Sequence, residues 1–194
     1  MTTGTLSPEL LLQAYASGFF PMAKSRKDAS VFWVEPENRG VLPLDKFHIS
    51  RSMRRFLRKG VFEITFDRSF REVMECCADR EETWINDQIL EGYCKLHELG
   101  FAHSVETRLD GKTVGGLYGV SLGGAFFGES MFSKETNASK TALCALVDHL
   151  KTKGFILLDT QFITPHLASM GAEEIPRKDY LERLKKAIHL KVIF

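Results

Sequence analysis

The sequence lacks both a long hydrophobic run and a strong net charge. No window approaches the roughly 18 uninterrupted apolar residues of a membrane-spanning helix. The 194 residues carry 26 basic and 25 acidic side chains, so any nucleic-acid contact would require a local basic patch. No basic segment followed by an apolar one begins the chain, and we expect a cytoplasmic protein without membrane contact.

Residue spacings typical of metal and redox sites are also missing. The four cysteines form no C-x-x-C pair, and the six histidines show no ligand spacing. All four cysteines fall in segments with helical patterns, which favours small core residues in a reducing compartment. These cysteines are Cys76, Cys77, Cys94 and Cys144. We therefore predict no metal site.

Motifs for covalent acyl transfer are absent as well. The sequence has no G-x-S-x-G elbow, and no serine or cysteine has an evident histidine partner, so an acyl-enzyme is not indicated. An acyl-CoA-dependent N-acetyltransferase would need a glycine-rich pyrophosphate loop opening a helix. The residues before the helix expected from Asn137, Ser133 to Thr136, match such a loop poorly. That class remains an alternative, which acetyl-CoA binding would test.

The patterns that are present predict an α+β fold. Helices are indicated from the cap at Ser7 to Gly18, over Asp67–Ala78 and Asn86–Leu99, from the cap at Asn137 to Gly154, after Thr164-Pro165, and over Arg177–Ile188. Strands are indicated over Val61–Phe66, Ala102–Leu109 and Lys112–Leu122, in the glycine-rich stretch that follows, and over Phe155–Leu158.

Composition suggests two units. Residues 1–62 form an irregular, aromatic and basic segment, which we expect to be a small α/β N-terminal domain. Residues 63–194 run helix, antiparallel strands, helix, strand, helix, an order that resembles the GNAT acyltransferase architecture. Since one fold hosts many activities, this resemblance does not fix a function.

One acidic residue interrupts an unusual glycine-rich, apolar stretch, Gly115–Ser133. Glycines within strands mark bulges, turns or places where a ligand lies against the backbone. Glu129 lies there among Phe126, Phe127 and Met131. A tight hairpin whose glutamate caps the next turn would explain it, but a second polar cluster, Asp159-Thr160-Gln161, ends another apolar strand and favours a site.

Together these groups suit a hydrophobic ligand carrying polar groups. The carboxylates and the amide of Glu129, Asp159 and Gln161 could orient the ligand. The apolar positions that they flank could hold a medium-sized side chain. These positions are Leu117, Phe126, Met131 and Leu158.

A cluster of basic residues follows His48, and no acidic residue occurs between positions 46 and 62. Its members recur at helical spacing on one face, where like charges repel each other. They are Arg51, Arg54, Arg55, Arg58 and Lys59. Such a face often meets phosphate, although a merely solvated face is the alternative.

Several motifs taken in order resemble bacterial leucyl/phenylalanyl-tRNA–protein transferases over nearly the whole chain, from Leu6 to about Leu184. They are Arg39–Pro43, His48–Ser52, Thr83–Ile85, Ala102–Glu106, Gly115–Val120, Phe127–Ser133, Asn137–Lys140 and the pair Asp159-x-Gln161. The resemblance implies transfer of Leu or Phe, and possibly Met, from aminoacyl-tRNA to the N-terminal Arg or Lys of proteins. This reaction marks proteins for N-end rule degradation. It also implies a monomer without metal, cofactor or covalent intermediate.

The resemblance further implies residue roles. Gln161 would accept from the attacking α-amino group, Asp159 would hold Gln161, and Glu129 would lie beside the amino group or ribose of the aminoacyl end. Trp33 and Trp84 would pack around the terminal adenosine, and the basic helix would meet acceptor-stem phosphates. The side-chain pocket would comprise Leu117, Phe126, Met131, Leu146 and Leu158.

The sequence departs from the family pattern at several positions, and one departure removes an aromatic residue expected near the adenosine. It has Trp33-Val34-Glu35-Pro36 where the family usually has Trp-Trp-Ser-Pro. This loss motivates an alternative function, an RNA-binding protein that has kept the fold but not the transfer activity. Salt-sensitive tRNA binding without turnover would support it.

Overall fold

A computed structural model describes residues 6–194. The helices are α1 Pro8–Ala16, α2 Arg51–Leu57, α3 Phe70–Ala78, α4 Asp87–Glu98, α5 Ala138–Lys153, α6 Pro165–Ala168 and α7 Arg177–Ile188. The strands are β1 Phe20–Met22, β2 Phe32–Val34, β3 Asn38–Val41, β4 Glu63–Phe66, β5 Ala102–Leu109, β6 Lys112–Leu122, β7 Ala125–Ser133, β8 Leu157–Gln161 and β9 Glu173–Pro176. No helix in this range combines the length and apolar composition needed to cross a membrane.

Seven strands form one sheet in the order β4-β5-β6-β7-β8-β3-β9, and β1 pairs with β2 in a separate ribbon. Neighbours in the large sheet are antiparallel except β7 and β8, which run parallel over Ala125–Phe127 and Leu157–Asp159. The Asp110-Gly111 turn joins β5 to β6 as predicted. The α+β class is confirmed, and so is the predicted order of elements after residue 63, except that β9 between α6 and α7 was not predicted.

The large sheet separates two hydrophobic cores, because successive side chains of a strand point to opposite faces. Helices α1, α3, α4 and α7 contribute to one core, and α5 covers the other. On β6, Tyr118 belongs to the first core and the neighbouring Leu117 to the second. A site at this part of the sheet can therefore draw side chains from both faces.

The start of α5 differs from the predicted cap. Asn137 occupies the N-cap position but adopts a left-handed φ of 68° and makes no capping hydrogen bond through its side chain. Instead, Ser133 Oγ accepts from the backbone N–H of Ser139 at 3.2 Å. The predicted end is confirmed, since Gly154 closes α5 with a φ of 86°.

Two element boundaries were also predicted wrongly. The strand expected over Phe155–Leu158 is Leu157–Gln161, so it carries the polar cluster instead of ending before it. The helix expected from Asp67 begins at Phe70. Asp67 adopts a φ of 57°, and its carboxylate accepts from the backbone N–H of Ser104 at 2.9 Å. A long-range hydrogen bond to β5 thus takes the place of the first helical turn.

The predicted unit 1–62 supplies one strand of the large sheet. β3 lies between β8 and β9 and pairs with both in antiparallel register. This strand brings Arg39 and Gly40 next to the polar end of β8. The division of the chain at residue 62 stays a prediction.

Candidate active site

A bulge in β7 places Glu129. Gly119 of β6 pairs with Gly128, but the preceding Tyr118 pairs with Ser130, so Glu129 is the extra residue. A bulge interrupts the alternation of side chains between the two faces of a sheet, so the side chain of the bulged residue points in a new direction. Bulges are common beside active sites. Parallel pairing of β7 with β8 ends at Phe127, one residue before the bulge region. Glu129 therefore lies where the two strands separate.

A second bulge lies on the neighbouring strand. Gly40 of β3 pairs with Gln161 while Val41 pairs with Asp159, which leaves Thr160 as the extra residue of β8. Gln161 then adopts a φ of 62°, a left-handed conformation that costs a residue with a side chain free energy. A Cβ atom at Gly40 would lie 2.6 Å from the carbonyl carbon of Phe162, so this close approach requires glycine.

The side chains of Glu129 and Gln161 meet between the two bulges. Gln161 Nε2 donates to Glu129 Oε1 at 2.9 Å. Tyr15 Oη donates to the same oxygen at 2.5 Å, and the hydroxyls of Tyr15 and Tyr93 are hydrogen-bonded to each other. Since the single Tyr15 proton goes to Glu129, Tyr93 donates to Tyr15. With its nitrogen committed to Glu129, Gln161 retains its amide oxygen as an acceptor.

Asp159 lies behind this pair in a fully buried ion pair. Arg39 Nε donates to Asp159 Oδ1 at 3.0 Å, and Arg39 Nη2 donates to Oδ2 at 2.7 Å. Asp159 Oδ1 also accepts from the backbone N–H of Gln161 at 2.7 Å, and Oδ2 accepts from Tyr180 Oη at 2.7 Å. The bidentate pair thus anchors the backbone of Gln161 in its left-handed conformation.

The Arg39 guanidinium is satisfied by further contacts. Its Nη1 donates to the carbonyl oxygen of Gly18 at 3.0 Å. Its Cζ atom lies 4.5 Å from the ring centroid of Phe20 and 4.7 Å from that of Tyr180. Cation–π contacts of this kind offset part of the cost of burying the charge.

A cavity of about 270 Å³ opens in front of Glu129 and Gln161. The predicted pocket residues that line it are Leu117, Met131, Leu146, Leu158 and Trp84. Further apolar lining comes from Met22, Leu143, Phe162 and Leu167. The cavity therefore joins polar groups at one end to an apolar wall formed largely by β6, β7, β8 and α5.

Three predicted site residues lie away from the cavity wall. Phe126 is fully buried in the core beneath α5, where its ring stacks on Phe194 with 5.4 Å between the centroids. Asp159 lies behind Gln161 and does not line the cavity. Trp33 is 37% exposed on β2, opposite Pro21, and Met22 of β1 lines the cavity instead.

The cavity also collects buried polar atoms that have no hydrogen-bond partner among the described residues. Four such atoms belong to residues that line it, and they include both donors and acceptors. They are Tyr118 Oη, Glu129 Oε2, Thr160 Oγ1 and His166 Nε2. Leaving a buried polar atom unpaired costs roughly 1–3 kcal/mol. Their convergence indicates that a polar ligand completes the site.

Comparison with known families decides the affiliation. The family model described as "Leucyl/phenylalanyl-tRNA protein transferase" matches residues 41–185. The model described as "Leucyl/phenylalanyl-tRNA protein transferase N-terminal domain" matches residues 4–37. The chain belongs to the leucyl/phenylalanyl-tRNA protein transferase family.

Individual members of the family are similar over most of their length. The leucyl/phenylalanyl-tRNA–protein transferase of Ruegeria sp. is 60% identical over 184 residues, which cover 95% of this chain and 88% of the relative. That of Zymomonas mobilis subsp. mobilis is 57% identical over 190 residues, covering 96% and 71%. That of Dinoroseobacter shibae is 55% identical over 186 residues, covering 96% and 83%.

The solved structures that align with the chain are less similar to it. The ribosomal-protein-alanine N-acetyltransferase of Brucella melitensis biovar Abortus aligns with a TM-score of 0.40 at 14% identity, covering 56% of this chain and 86% of that chain. The L-PGS of Bacillus licheniformis aligns with a TM-score of 0.43 at 14% identity, covering 83% and 55%.

Sequence reasoning missed several residues that hold the site of this family member. Arg39 stands 120 positions from Asp159, and Tyr15 stands 114 from Glu129. Arg39 begins one of the motifs that resemble the family, but no role was predicted for it, and Tyr15 carries no local signal because tyrosine is ordinarily only partly buried. His166 belongs to no recognisable sequence motif, and the structure places it on the cavity wall.

The predicted basic face exists on α2. Met53 is buried, Phe56 and Leu57 are partly buried, and the basic side chains face outward. In residues 6–194, none of the five basic side chains comes within 4 Å of a carboxylate oxygen. Ser50 caps the start of this helix, because its Oγ accepts from the Met53 N–H at 3.1 Å.

The described residues also contain no cluster of three metal-ligating side chains.

Burial of the Glu129 carboxylate gives a prediction about pH. Burial raises the pKa of Glu129 to about 7, against the opposing hydrogen bonds from Tyr15 and Gln161. Its unfolded-state value is about 4.3, so the folded protein holds the proton more tightly. The stability due to this proton is present at low pH and is lost as the pH rises through about 7.

Between about pH 4.5 and pH 8, we therefore expect the free energy of unfolding of the wild-type protein to fall by up to about 3 kcal/mol relative to that of the Glu129→Gln variant. Urea unfolding of both proteins at several pH values measures this difference. The glutamine side chain of the variant cannot ionise, so groups elsewhere in the chain cancel in the comparison. Parallel curves for the two proteins would contradict the raised pKa.

Proposed function

We propose that this protein transfers Leu or Phe from aminoacyl-tRNA to the N-terminal Arg or Lys of acceptor proteins. The donor is a ribose ester and the acceptor is an amine, so the reaction needs positioning, a hydrogen-bond acceptor for the amine and stabilisation of charge. We further propose that the protein acts in the cytoplasm as a monomer. All the groups assigned below come from one chain.

The observation that carries this proposal is that four residues lining one largely apolar cavity each hold a buried polar atom with no partner in the described part of the chain. An aminoacyl ester offers the matching groups, an α-amino donor, a carbonyl acceptor and a ribose hydroxyl, beside a hydrophobic side chain. A pocket of this kind is typical of a small apolar ligand with a few polar anchors.

In the proposed reaction, the Gln161 amide oxygen accepts from the attacking amine and directs its lone pair at the ester carbon. Asp159 acts through Gln161, since it accepts the Gln161 backbone N–H and is itself held by Arg39. Glu129 Oε2 accepts from the α-amino group of the donor. The proton lost by the attacking nitrogen leaves with the ribose oxygen.

The donor side chain would occupy the apolar part of the cavity, formed by Leu117, Met131, Leu146 and Leu158. We assign Phe126 an indirect role, because it packs behind this wall in the core. Trp84 lines the cavity and is proposed to contact the terminal adenosine. Trp33 is proposed to contact the nucleotides next to it, from its exposed place on β2.

Donor selectivity tests the proposal. With one acceptor carrying N-terminal Arg, transfer of labelled Phe or Leu from tRNA is expected, whereas labelled Ala is expected to react at least tenfold more slowly. Two or more buried methylene groups lost from an apolar pocket are worth more than about 1.4 kcal/mol. Equal rates for Ala and Phe would contradict the pocket assignment. Donor binding without any transfer would favour the RNA-binding alternative.

We propose that the basic face of α2 contacts the phosphates of the acceptor stem. Replacing one contacting arginine, as in Arg54→Ala or Arg55→Ala, is expected to weaken tRNA binding and to lower the slope of log K against log salt by roughly 1. Fluorescence titration of labelled tRNA at four salt concentrations measures this slope.

The matched control is Lys151→Ala, which removes an exposed positive charge from the last turn of α5, outside the basic face of α2. It is expected to leave the slope unchanged. If the arginine variants and the lysine variant behave alike, the basic face of α2 is only solvated and does not bind tRNA.

A further inference from the structure

Tyr118 differs from the other tyrosines of the site. It is fully buried, lines the cavity, and its hydroxyl oxygen has no partner within the described part of the chain. The hydroxyls of Tyr15 and Tyr93, by contrast, are hydrogen-bonded. A buried phenol that is left unpaired destabilises the free protein. Such a group requires an explanation, and a ligand in the cavity would supply the missing partner.

Packing fixes the position of this hydroxyl. The Tyr118 ring makes edge-to-face contacts with Phe70 and Tyr93, with centroid separations of 5.9 and 5.8 Å. Tyr118 is on β6 directly opposite Ser130, next to the bulge that re-aims Glu129. The hydroxyl is therefore held in place before any ligand arrives, which is the condition for an effective electrostatic contact.

The two unpaired atoms at this bulge are complementary in type. Tyr118 Oη can donate a hydrogen bond, and ionised Glu129 Oε2 can only accept one. An α-aminoacyl ester presents a donor and an acceptor on adjacent carbons, the α-amino group and the carbonyl oxygen. Such a ligand therefore carries a partner of the right type for each atom.

We propose that the Tyr118 hydroxyl donates a hydrogen bond to the ester carbonyl oxygen of the donor and stabilises the negative charge that develops there. This inference rests on the proposed function and adds Tyr118 to it as a catalytic residue. Burial, together with the nearby charge of Glu129, raises the pKa of Tyr118 well above its ordinary value. The hydroxyl therefore stays protonated throughout the pH range of an assay.

The acceptor nitrogen forms a bond to the carbonyl carbon, and the C=O π electrons move to the oxygen, which accepts from Tyr118 without taking its proton. When the carbonyl re-forms, the bond from carbon to the ribose oxygen breaks. That oxygen keeps the electron pair and receives the proton that the nitrogen loses. Tyr118 ends the cycle unchanged.

Tyr118→Phe tests this proposal, because it removes only the hydroxyl and keeps the ring in the core. In single-turnover and steady-state transfer assays, kcat is expected to fall by about 10²–10³-fold with little change in KM for the aminoacyl-tRNA. The free energy of unfolding is expected to stay the same or to increase, since an unpaired buried group is lost. Tyr93→Phe is the comparison for stability. This substitution removes a hydroxyl that has a hydrogen-bond partner, so the free energy of unfolding of the Tyr93→Phe protein is expected to fall.

The outcomes separate the proposals. A wild-type protein that transfers, with Tyr118→Phe transferring equally well, would overturn the role of Tyr118 alone. A raised KM with unchanged kcat would show ground-state binding only and would overturn it too. A Tyr118→Phe protein that is slower but also less stable would assign the hydroxyl a structural role. A wild-type protein that transfers nothing would overturn both proposals.

Discussion

Replacing Gln161 by alanine is expected to lower the rate of aminoacyl transfer at least tenfold while aminoacyl-tRNA still binds. The variant loses the amide oxygen that accepts from the attacking amine, and a tenfold loss corresponds to about 1.4 kcal/mol of transition-state stabilisation. It also removes the hydrogen bond from Gln161 Nε2 to Glu129 Oε1. Single-turnover transfer from labelled Phe-tRNA measures the rate, and filter binding measures donor affinity.

The backbone conformation of Gln161 requires a matched control. Alanine at a φ of 62° is strained, whereas glycine adopts this conformation freely. Gln161→Gly is therefore expected to be as slow as Gln161→Ala but at least as stable as it. Recovery of the wild-type rate in the glycine variant would assign the defect to the backbone and remove the side chain from the mechanism.

Replacing Arg39 by methionine is expected to lower the free energy of unfolding by about 3–5 kcal/mol. The substitution leaves the Asp159 carboxylate buried without its cation, although Tyr180 and the Gln161 N–H still donate to it. Since these contacts orient Gln161, transfer is expected to fall as well. Urea unfolding followed by circular dichroism measures the loss.

A double variant distinguishes ion pairing from simple packing. In Arg39→Met/Asp159→Asn neither residue is charged, and asparagine can still accept from the Gln161 N–H. The double variant is expected to be less destabilised than the sum of the two single variants by more than about 1 kcal/mol. If the loss in free energy of unfolding of the double variant equals the sum of the two single losses, the two charges do not stabilise the protein by pairing with each other.

Much of the fold follows from local signals. The cap at Ser7, the Asp110-Gly111 turn and Gly154 after α5 each impose a conformation on a few neighbouring residues, and the structure has all three. Helix α5 begins directly after Asn137 as predicted, but the side chain that accepts an N–H of its first turn is Ser133, which pairs with Ser139. A contact made six residues along the chain is invisible to a rule that reads one position.

The candidate site was predictable only in part. Glycines around Glu129 indicated a bulge or a ligand, and the bulge is there. The partners of Glu129 and Asp159 could not be derived, because Tyr15 and Arg39 reach them across more than a hundred residues of chain. The positive φ of Gln161 likewise results from the pairing of β8 with β3 and leaves no trace in composition.

The proposed site also unites features that each cost stability. The left-handed Gln161, the buried Arg39–Asp159 pair and the four polar atoms without a partner in residues 6–194 lie on β3, β6, β7, β8 and α6. Strained and unsatisfied groups persist where function requires them and the surrounding packing supports them. Their concentration at one cavity supports the assignment of the reaction to this place.

The most direct measurement uses purified protein, Phe-tRNA or Leu-tRNA carrying a labelled amino acid, and two acceptors that differ only in an N-terminal Arg or Ala. The proposed function predicts label in the Arg acceptor, in a peptide bond at its N-terminus, and none in the Ala acceptor. Label in both acceptors would contradict the acceptor specificity. Label in neither, with donor bound, would contradict the transferase function itself.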